Sequence, residues 1–251
     1  MRIAVVGASG RIGREVVDIL KHRGEEIVEI TRSAGIDVHS GKGLAAALTG
    51  VDVVVDAVNA ATTETTAVTE FFGAVARTVA AAAHAAGVRR VVVVSIIGID
   101  GFTAGHYAGK LVQERAYREG PVPVHIVRAA QFHEFAEMML EWTTQDDLAE
   151  IPRYRAQLVS ARTAAEQVAE VALAGGPDLV EIAGPQQWWL VDAVAQLVAR
   201  RGGPARVREV DDITDPDHLL LAEGALLAGP NAIIAGPTFE EWLDDRWPIE
   251  G

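Results

Sequence analysis

Near its start the chain runs Ile3-Ala4-Val5-Val6 straight into Gly7-Ala8-Ser9-Gly10-Arg11-Ile12-Gly13. An unbroken apolar run of this kind reads as a strand covered on both faces. Glycines three residues apart let the backbone turn sharply and let a helix start close against the strand. The residues that follow carry apolar side chains at 12, 16, 17, 19 and 20, which predicts an amphipathic helix ending at Gly24. Strand, glycine turn and helix N-terminus in this order suit a pyrophosphate, because backbone N–H groups and the helix dipole favour an anion there. The spacing is G-x-x-G-x-x-G, and it marks Gly7, Ser9, Gly10, Arg11, Ile12 and Gly13 as a nucleotide-binding turn.

The pattern recurs downstream. Val- and Ile-rich runs at 2–6, 27–31, 52–58, 91–97 and 122–127 alternate with helical stretches, which is βαβ alternation. It predicts an α/β fold of the Rossmann type, a doubly wound parallel sheet. An alanine-rich helix is expected over 64–86, stopping at Gly87. After residue 128 the pattern loosens into a helix at 132–143, a polar stretch at 144–162, a helix at 163–174, a strand at 179–182 and a helix at 188–201. A short amphipathic helix is expected around Glu240-Glu241-Trp242-Leu243. No composition break interrupts the 251 residues, so the expectation is a single domain over 1–251, with a nucleotide-binding core at about 1–130 and substrate-side elements with a small C-terminal lobe at about 131–251.

Charge and composition narrow the function. A formal charge of −13 repels a phosphate backbone and speaks against nucleic-acid partners. No apolar run approaches a membrane span, and no charged leader with an apolar stretch precedes the first strand. With no cysteine there is neither a disulfide framework nor thiolate chemistry, and a cytoplasmic location is expected. Metal is not expected either. His133-Glu134 opens like H-E-x-x-H, but position 137 is Glu. Asp211, Asp212, Asp215 and Asp217 lack the spacing of a calcium loop, and Ser160 and His125 fit no nucleophile arrangement.

Five segments in order, GASGRIG at 7–13, VVVDAVNA at 53–60, AGVRRVVVVSIIGID at 86–100, GHYAGKLVQE at 105–114 and IVRAAQFHEF at 126–135, resemble the atypical short-chain dehydrogenase/reductases, specifically their NmrA-like NAD(P)H-binding group. The resemblance weakens beyond residue 145. It implies that Asp37 flanks an adenine, that Ala57 and Asn59 line the nucleotide, and that Ser95 can bond a substrate carbonyl. It also implies a Tyr-x-x-x-Lys pair on the following helix, where Lys110 binds the nicotinamide ribose and lowers the pKa of an acid. Here His106 occupies the tyrosine position and Tyr107 stands one residue later. Both i to i+4 and i to i+3 pairs face one side of a helix, so either can be the proton donor beside Lys110.

Arg32, at the tip of the second strand, is placed to hold a 2′-phosphate by charge-assisted bonds, which favours NADP(H). Downstream of the strand at 122–127, Gln131, Phe132, Met138 and Trp142 are expected to form a substrate wall, with Phe135, Met138, Met139 and Trp142 on one helix face. The leading expectation is an NADPH-dependent oxidoreductase reducing a small apolar or aromatic carbonyl or quinone-like substrate. The alternatives are an NADP(H)-binding regulator without turnover, and a redox-neutral isomerase or cyclase on the same fold.

Overall fold

The apolar runs pair as strands, and the intervening amphipathic stretches coil as helices. In the computed structural model, which describes residues 1–204 and 206–248, the elements in chain order are β1 (Arg2–Val6), α1 (Arg11–His22), β2 (Glu26–Ile30), α2 (Leu44–Ala47), β3 (Val53–Asp56), α3 (Thr65–Ala85), β4 (Arg90–Ile96), α4 (Gly105–Arg118) and β5 (Val124–Ala129). There follow α5 (Phe135–Thr143), β6 (Thr144–Gln145), β7 (Leu148–Pro152), β8 (Arg155–Ala156), α6 (Ala161–Ala174), β9 (Leu179–Ala183), β10 (Trp188–Trp189), α7 (Leu190–Arg201), β11 (Arg206–Val210), α8 (His218–Glu223), β12 (Ile233–Ile234) and α9 (Phe239–Arg246).

Seven strands form a parallel Rossmann-type sheet in the order β12-β9-β5-β4-β3-β1-β2. The chain leaves β1 for one neighbour, β2, and returns to its other side at β3. That reversal opens a crevice at the carboxyl ends of β1 and β3, where open α/β sheets take ligands. Register aligns these ends: Val6 lies opposite both Ile30 and Asp56, so Gly7 and Ala57 emerge side by side.

Residues cluster into two compact units. The first holds Met1–Ile96, Ala104–Arg128 and Ala161–Val180. Ala4, Val6, Val54, Val91 and Val93 pack on one face against Val75, Ala76, Val79 and Ala83 of α3. The alternate residues Ile3, Val5, Val53, Val55 and Val92 are equally buried. This two-sided burial is the reason the strands read as continuous apolar runs rather than alternating ones. Helix α3 packs on α4, and α1 packs on α6. Residues 161–180, expected with the substrate-side elements, belong to this first unit.

The second unit holds Ile97–Thr103, Ala129–Ser160 and the described residues from Glu181 onward. Its strands β11, β7 and β6 form one small sheet, and β10 pairs with β8. The polar stretch at 144–162 thus contains three short strands where none was expected. The sheet explains why periodicity is silent there: β11 is Arg-Val-Arg-Glu-Val, and Arg208 stands opposite Glu150 of β7 with Nε donating to Oε1 at 3.0 Å. A charged cross-strand pair supports a strand that carries little apolar signal. Helix α5 begins at Phe135 rather than 132, because Phe132 bridges to Val159 and residues 133–134 turn. Its buried face is Ala136, Met139 and Leu140; of the expected stripe Met139 joins that face, Phe135 and Met138 are half-buried, and Trp142 is 62% exposed. Among the described residues no helix is long and apolar enough to cross a membrane.

Candidate functional site

The glycine turn at the end of β1 is built to keep side chains out. Gly7 has φ +74°, and a Cβ on it would lie 2.8 Å from the Ala57 carbonyl oxygen. A Cβ on Gly13 would lie 2.2 Å from the Gly7 carbonyl oxygen, so the first turn of α1 can sit against the loop only without one. The Gly10 amide closes the turn on Gly7 O at 2.9 Å. Gly10 also caps α1 with no side chain to satisfy the first-turn amides, while Ser9, Gly10 and Arg11 are exposed. Backbone amides at a helix N-terminus with no side-chain cap, reached over a surface cleared of Cβ atoms, fit a dinucleotide pyrophosphate.

The neighbouring strand ends supply the rest. Thr31 accepts from the Ala34 amide at 3.2 Å and so caps a short 3₁₀ turn that holds Arg32, which is exposed. Asp37 accepts from Ser40 Oγ at 2.7 Å and from the His39 amide at 3.0 Å. These bonds, the serine's first, hold its carboxyl below the usual range and tie it to the 37–42 turn. Ala57 is buried beneath Gly7, and Asn59 is exposed with Oδ1 accepting from the Ala60 amide at 3.1 Å.

Helix α4 carries the expected proton-transfer residues, and here the structure adds a network. Lys110 is 5% exposed, and its Nζ donates to Val58 O at 3.2 Å, Val94 O at 3.1 Å and Gln113 Oε1 at 2.9 Å. An ammonium has three N–H donors, so these acceptors occupy all of them. Burial pulls its pKa down to about 8, against the opposing charges of Asp56 and Glu114. Nζ also lies 4.4 Å from the centre of the Phe72 ring. His106 packs edge-on to the same ring at 5.3 Å, and burial, then the Lys110 charge, lowers its pKa to about 4. The imidazole is therefore neutral at physiological pH. Tyr107 is half-buried beside it. Ser95 donates to Glu114 Oε1 at 2.5 Å in a buried cluster, where Arg128 also grips Glu114 through Nε and Nη2, both at 2.9 Å.

Sequence reasoning passed over Asp56, Gln113, Glu114, Tyr117 and Arg128. Asp56 Oδ2 accepts from Gln113 Nε2 at 3.0 Å and from Tyr117 OH at 2.6 Å. A signal existed: Lys110, Gln113, Glu114 and Tyr117 stand at i, i+3, i+4 and i+7, a polar stripe on a helix face that packs inward.

In the second unit, Gln131 is 9% exposed, and neither amide atom has a partner. Phe132 and Met138 are half-buried. His133, expected beside Gln131 as a polar member of the substrate wall, is fully buried; Nε2 reaches Pro237 O at 3.3 Å, and its ring lies 5.5 Å from both Phe239 and Trp242. Burial lowers its pKa to about 4.

A family model described as NAD(P)H-binding matches residues 34–174. The chain belongs to this NAD(P)H-binding family. The match spans α4 and its polar network, so the nicotinamide-nucleotide assignment rests on more than the glycine turn. Solved structures share the fold. A dTDP-4-dehydrorhamnose reductase from Clostridium acetobutylicum superposes with a TM-score of 0.70 at 16% identity, over 96% of this chain and 92% of its own. An NADPH-dependent quinone oxidoreductase from Escherichia coli, complexed with NADPH, gives 0.70 at 17%, over 97% and 99%. A short-chain dehydrogenase/reductase superfamily protein from Agrobacterium tumefaciens with bound NAD gives 0.65 at 16%, over 100% and 92%. No curated protein matches the sequence. Solved structures that share this fold thus include reductases named for quite different substrates.

Proposed function

We propose that this protein is an NADPH-dependent oxidoreductase that reduces quinone-like substrates. The observation that carries this reading is the state of Lys110, whose three N–H donors are taken by Val58 O, Val94 O and Gln113 Oε1. A lysine so engaged is poorly disposed to acidify a neighbouring hydroxyl. His106, with a pKa of about 4, is a neutral imidazole at neutral pH and a far weaker acid than an imidazolium. Reduction of a simple ketone creates a strongly basic alkoxide that needs a positioned acid. Reduction of a quinone leaves an anion delocalised over an aromatic ring, which takes its proton from water or from Tyr107 without such help. The fold shared with an NADPH-dependent quinone oxidoreductase is in keeping with this reading.

The nucleotide is assigned to the glycine turn, with Gly7, Ser9, Gly10, Arg11, Ile12 and Gly13 about the pyrophosphate, Arg32 on the 2′-phosphate, Asp37 flanking the adenine, and Ala57 and Asn59 lining the nucleotide. When bound, its reduced nicotinamide supplies the hydride. Phe132, Met138 and Trp142 are assigned to the apolar part of the substrate.

The test is single-turnover oxidation of NADPH against a panel of quinones and simple ketones and aldehydes, with nucleotide titration in parallel. Oxidation by quinones, with ketones and aldehydes slower by at least about a hundredfold, the lower range of a general acid's contribution, is expected. Equal rates on both classes would overturn the assignment. Nucleotide binding with no oxidation by any substrate would replace it with a regulator that senses cofactor occupancy, a reading the same engaged lysine favours.

A further inference from the structure

Buried polar side chains without partners are rare in folded proteins, because each costs about 1–3 kcal/mol. Among the described residues four such atoms fall within the short stretch 131–134: Gln131 Nε2, Gln131 Oε1, His133 Nδ1 and Glu134 Oε2. Gln131 is the sharpest case, since it is nine-tenths buried and has both ends of its carboxamide unpaired. Its backbone carbonyl is not idle, for it accepts from the Val159 amide at 2.9 Å and anchors the segment beside β8. The position is thus held firmly while the side chain is left without a protein partner.

The chemistry of the unpaired atoms defines what they lack. The carboxamide offers one donor and one acceptor on neighbouring atoms, so its complement is an edge with an acceptor and a donor in the same arrangement. Glu134 Oε2 is an acceptor. His133 Nε2 faces the Pro237 carbonyl and carries the proton, which leaves Nδ1 of the neutral ring as an acceptor too. Three acceptor atoms therefore stand along the stretch against the two N–H donors of one amide nitrogen.

We infer that Gln131 forms a polar recognition site for a carboxamide-type edge on the substrate, a carbonyl beside an N–H donor. Gln131 Nε2 donates to the ligand carbonyl, and Gln131 Oε1 accepts a ligand N–H. A primary carboxamide, with two N–H donors and one acceptor, matches the excess of protein acceptors better than an ester, which has no donor. The assignment takes its carbon skeleton from the quinone reading above, but recognition of the edge is independent of turnover.

The experiment titrates the full-length protein, saturated with oxidised NADP so that no reduction occurs, with a naphthoquinone carboxamide and with its methyl ester, by calorimetry. The ester keeps the carbonyl but lacks the N–H, and the bond it forgoes, together with the Gln131 Oε1 it leaves unpaired, corresponds to about a tenfold preference for the amide over the ester. Gln131→Met, which keeps length and removes both polar ends, is expected to bring that ratio to about one while ester affinity stays within about threefold. The variant's melting temperature is expected to equal or exceed that of the parent, because an unpaired buried group is removed. Gln131→Leu, which also removes both polar ends, provides the same readout if the methionine variant folds poorly, and is expected to lose the preference as well. No preference in the parent, a preference that survives in both variants, or a fall in melting temperature with the ratio intact would overturn the inference. A failure of every quinone to oxidise NADPH would remove the proposed reaction but leave the amide-to-ester ratio as the judge of this site.

Discussion

Replacing Lys110 with methionine separates two roles that the sequence motif would merge. In the structure the ammonium is buried and donates to Val58 O, Val94 O and Gln113 Oε1, and its pKa falls from the ordinary 10.5 to about 8. Between these two values the unfolded chain binds a proton that the folded chain does not, so unfolding free energy rises with pH across that window. The stability is fully present above 10.5 and is lost as pH falls through about 8, a change of about 3 kcal/mol. At pH 7 the variant gains by losing a buried charge and loses by leaving three acceptors behind; a net destabilisation of about 1–3 kcal/mol is expected because the acceptors remain desolvated. The assay is urea unfolding of parent and variant at intervals from pH 7 to 10.5, and the difference between the curves cancels the other titrating groups. The Lys110→Met curve should lack the alkaline rise. A variant of unchanged stability at pH 7, with an intact rise and weakened NADPH binding, would show that the ammonium faces the cofactor and would refute the internal network as its main partner.

Arg32→Ala should weaken NADPH binding by about ten- to a hundredfold and leave NADH nearly unchanged, as loss of a charge-assisted bond to a 2′-phosphate requires; equal losses for both nucleotides would remove Arg32 from that contact. Gly13→Ala forces a Cβ to within 2.2 Å of the Gly7 carbonyl oxygen and should cost about 1–3 kcal/mol of stability along with nucleotide affinity, measured by melting and fluorescence titration. A tolerated alanine would mean that α1 does not sit so close to its loop. His133→Phe tests acid sensitivity: with a folded pKa of about 4 against 6.5, His133 contributes stability that is present above 6.5 and lost as pH falls toward 4, and the phenylalanine variant should flatten that limb of the pH–stability curve. An unaltered slope between pH 6.5 and 4 would place the titrating group elsewhere.

The sequence alone determined the Rossmann-type core and its glycine turn, because both depend on local rules. Two-sided burial makes β1, β3 and β4 continuous apolar runs, and the turn from β1 into α1 admits only glycine at 7 and 13, so composition at those positions carries the geometry directly. Tertiary structure decided the rest. Whether Lys110 serves a ligand or the protein depends on carbonyls at Val58 and Val94, distant in sequence and brought together by β3, β4 and α4. Whether Ser95 is available depends on Glu114 and Arg128, which reach it only once helix and strands have packed. The β7–β11 pairing, set by partners more than fifty residues apart and an Arg208–Glu150 pair, leaves no periodic trace in either segment. Hydrogen-bond partnership is a property of assembled neighbours rather than of spacing along the chain, and for that reason the unpaired carboxamide of Gln131 became visible only in the folded protein.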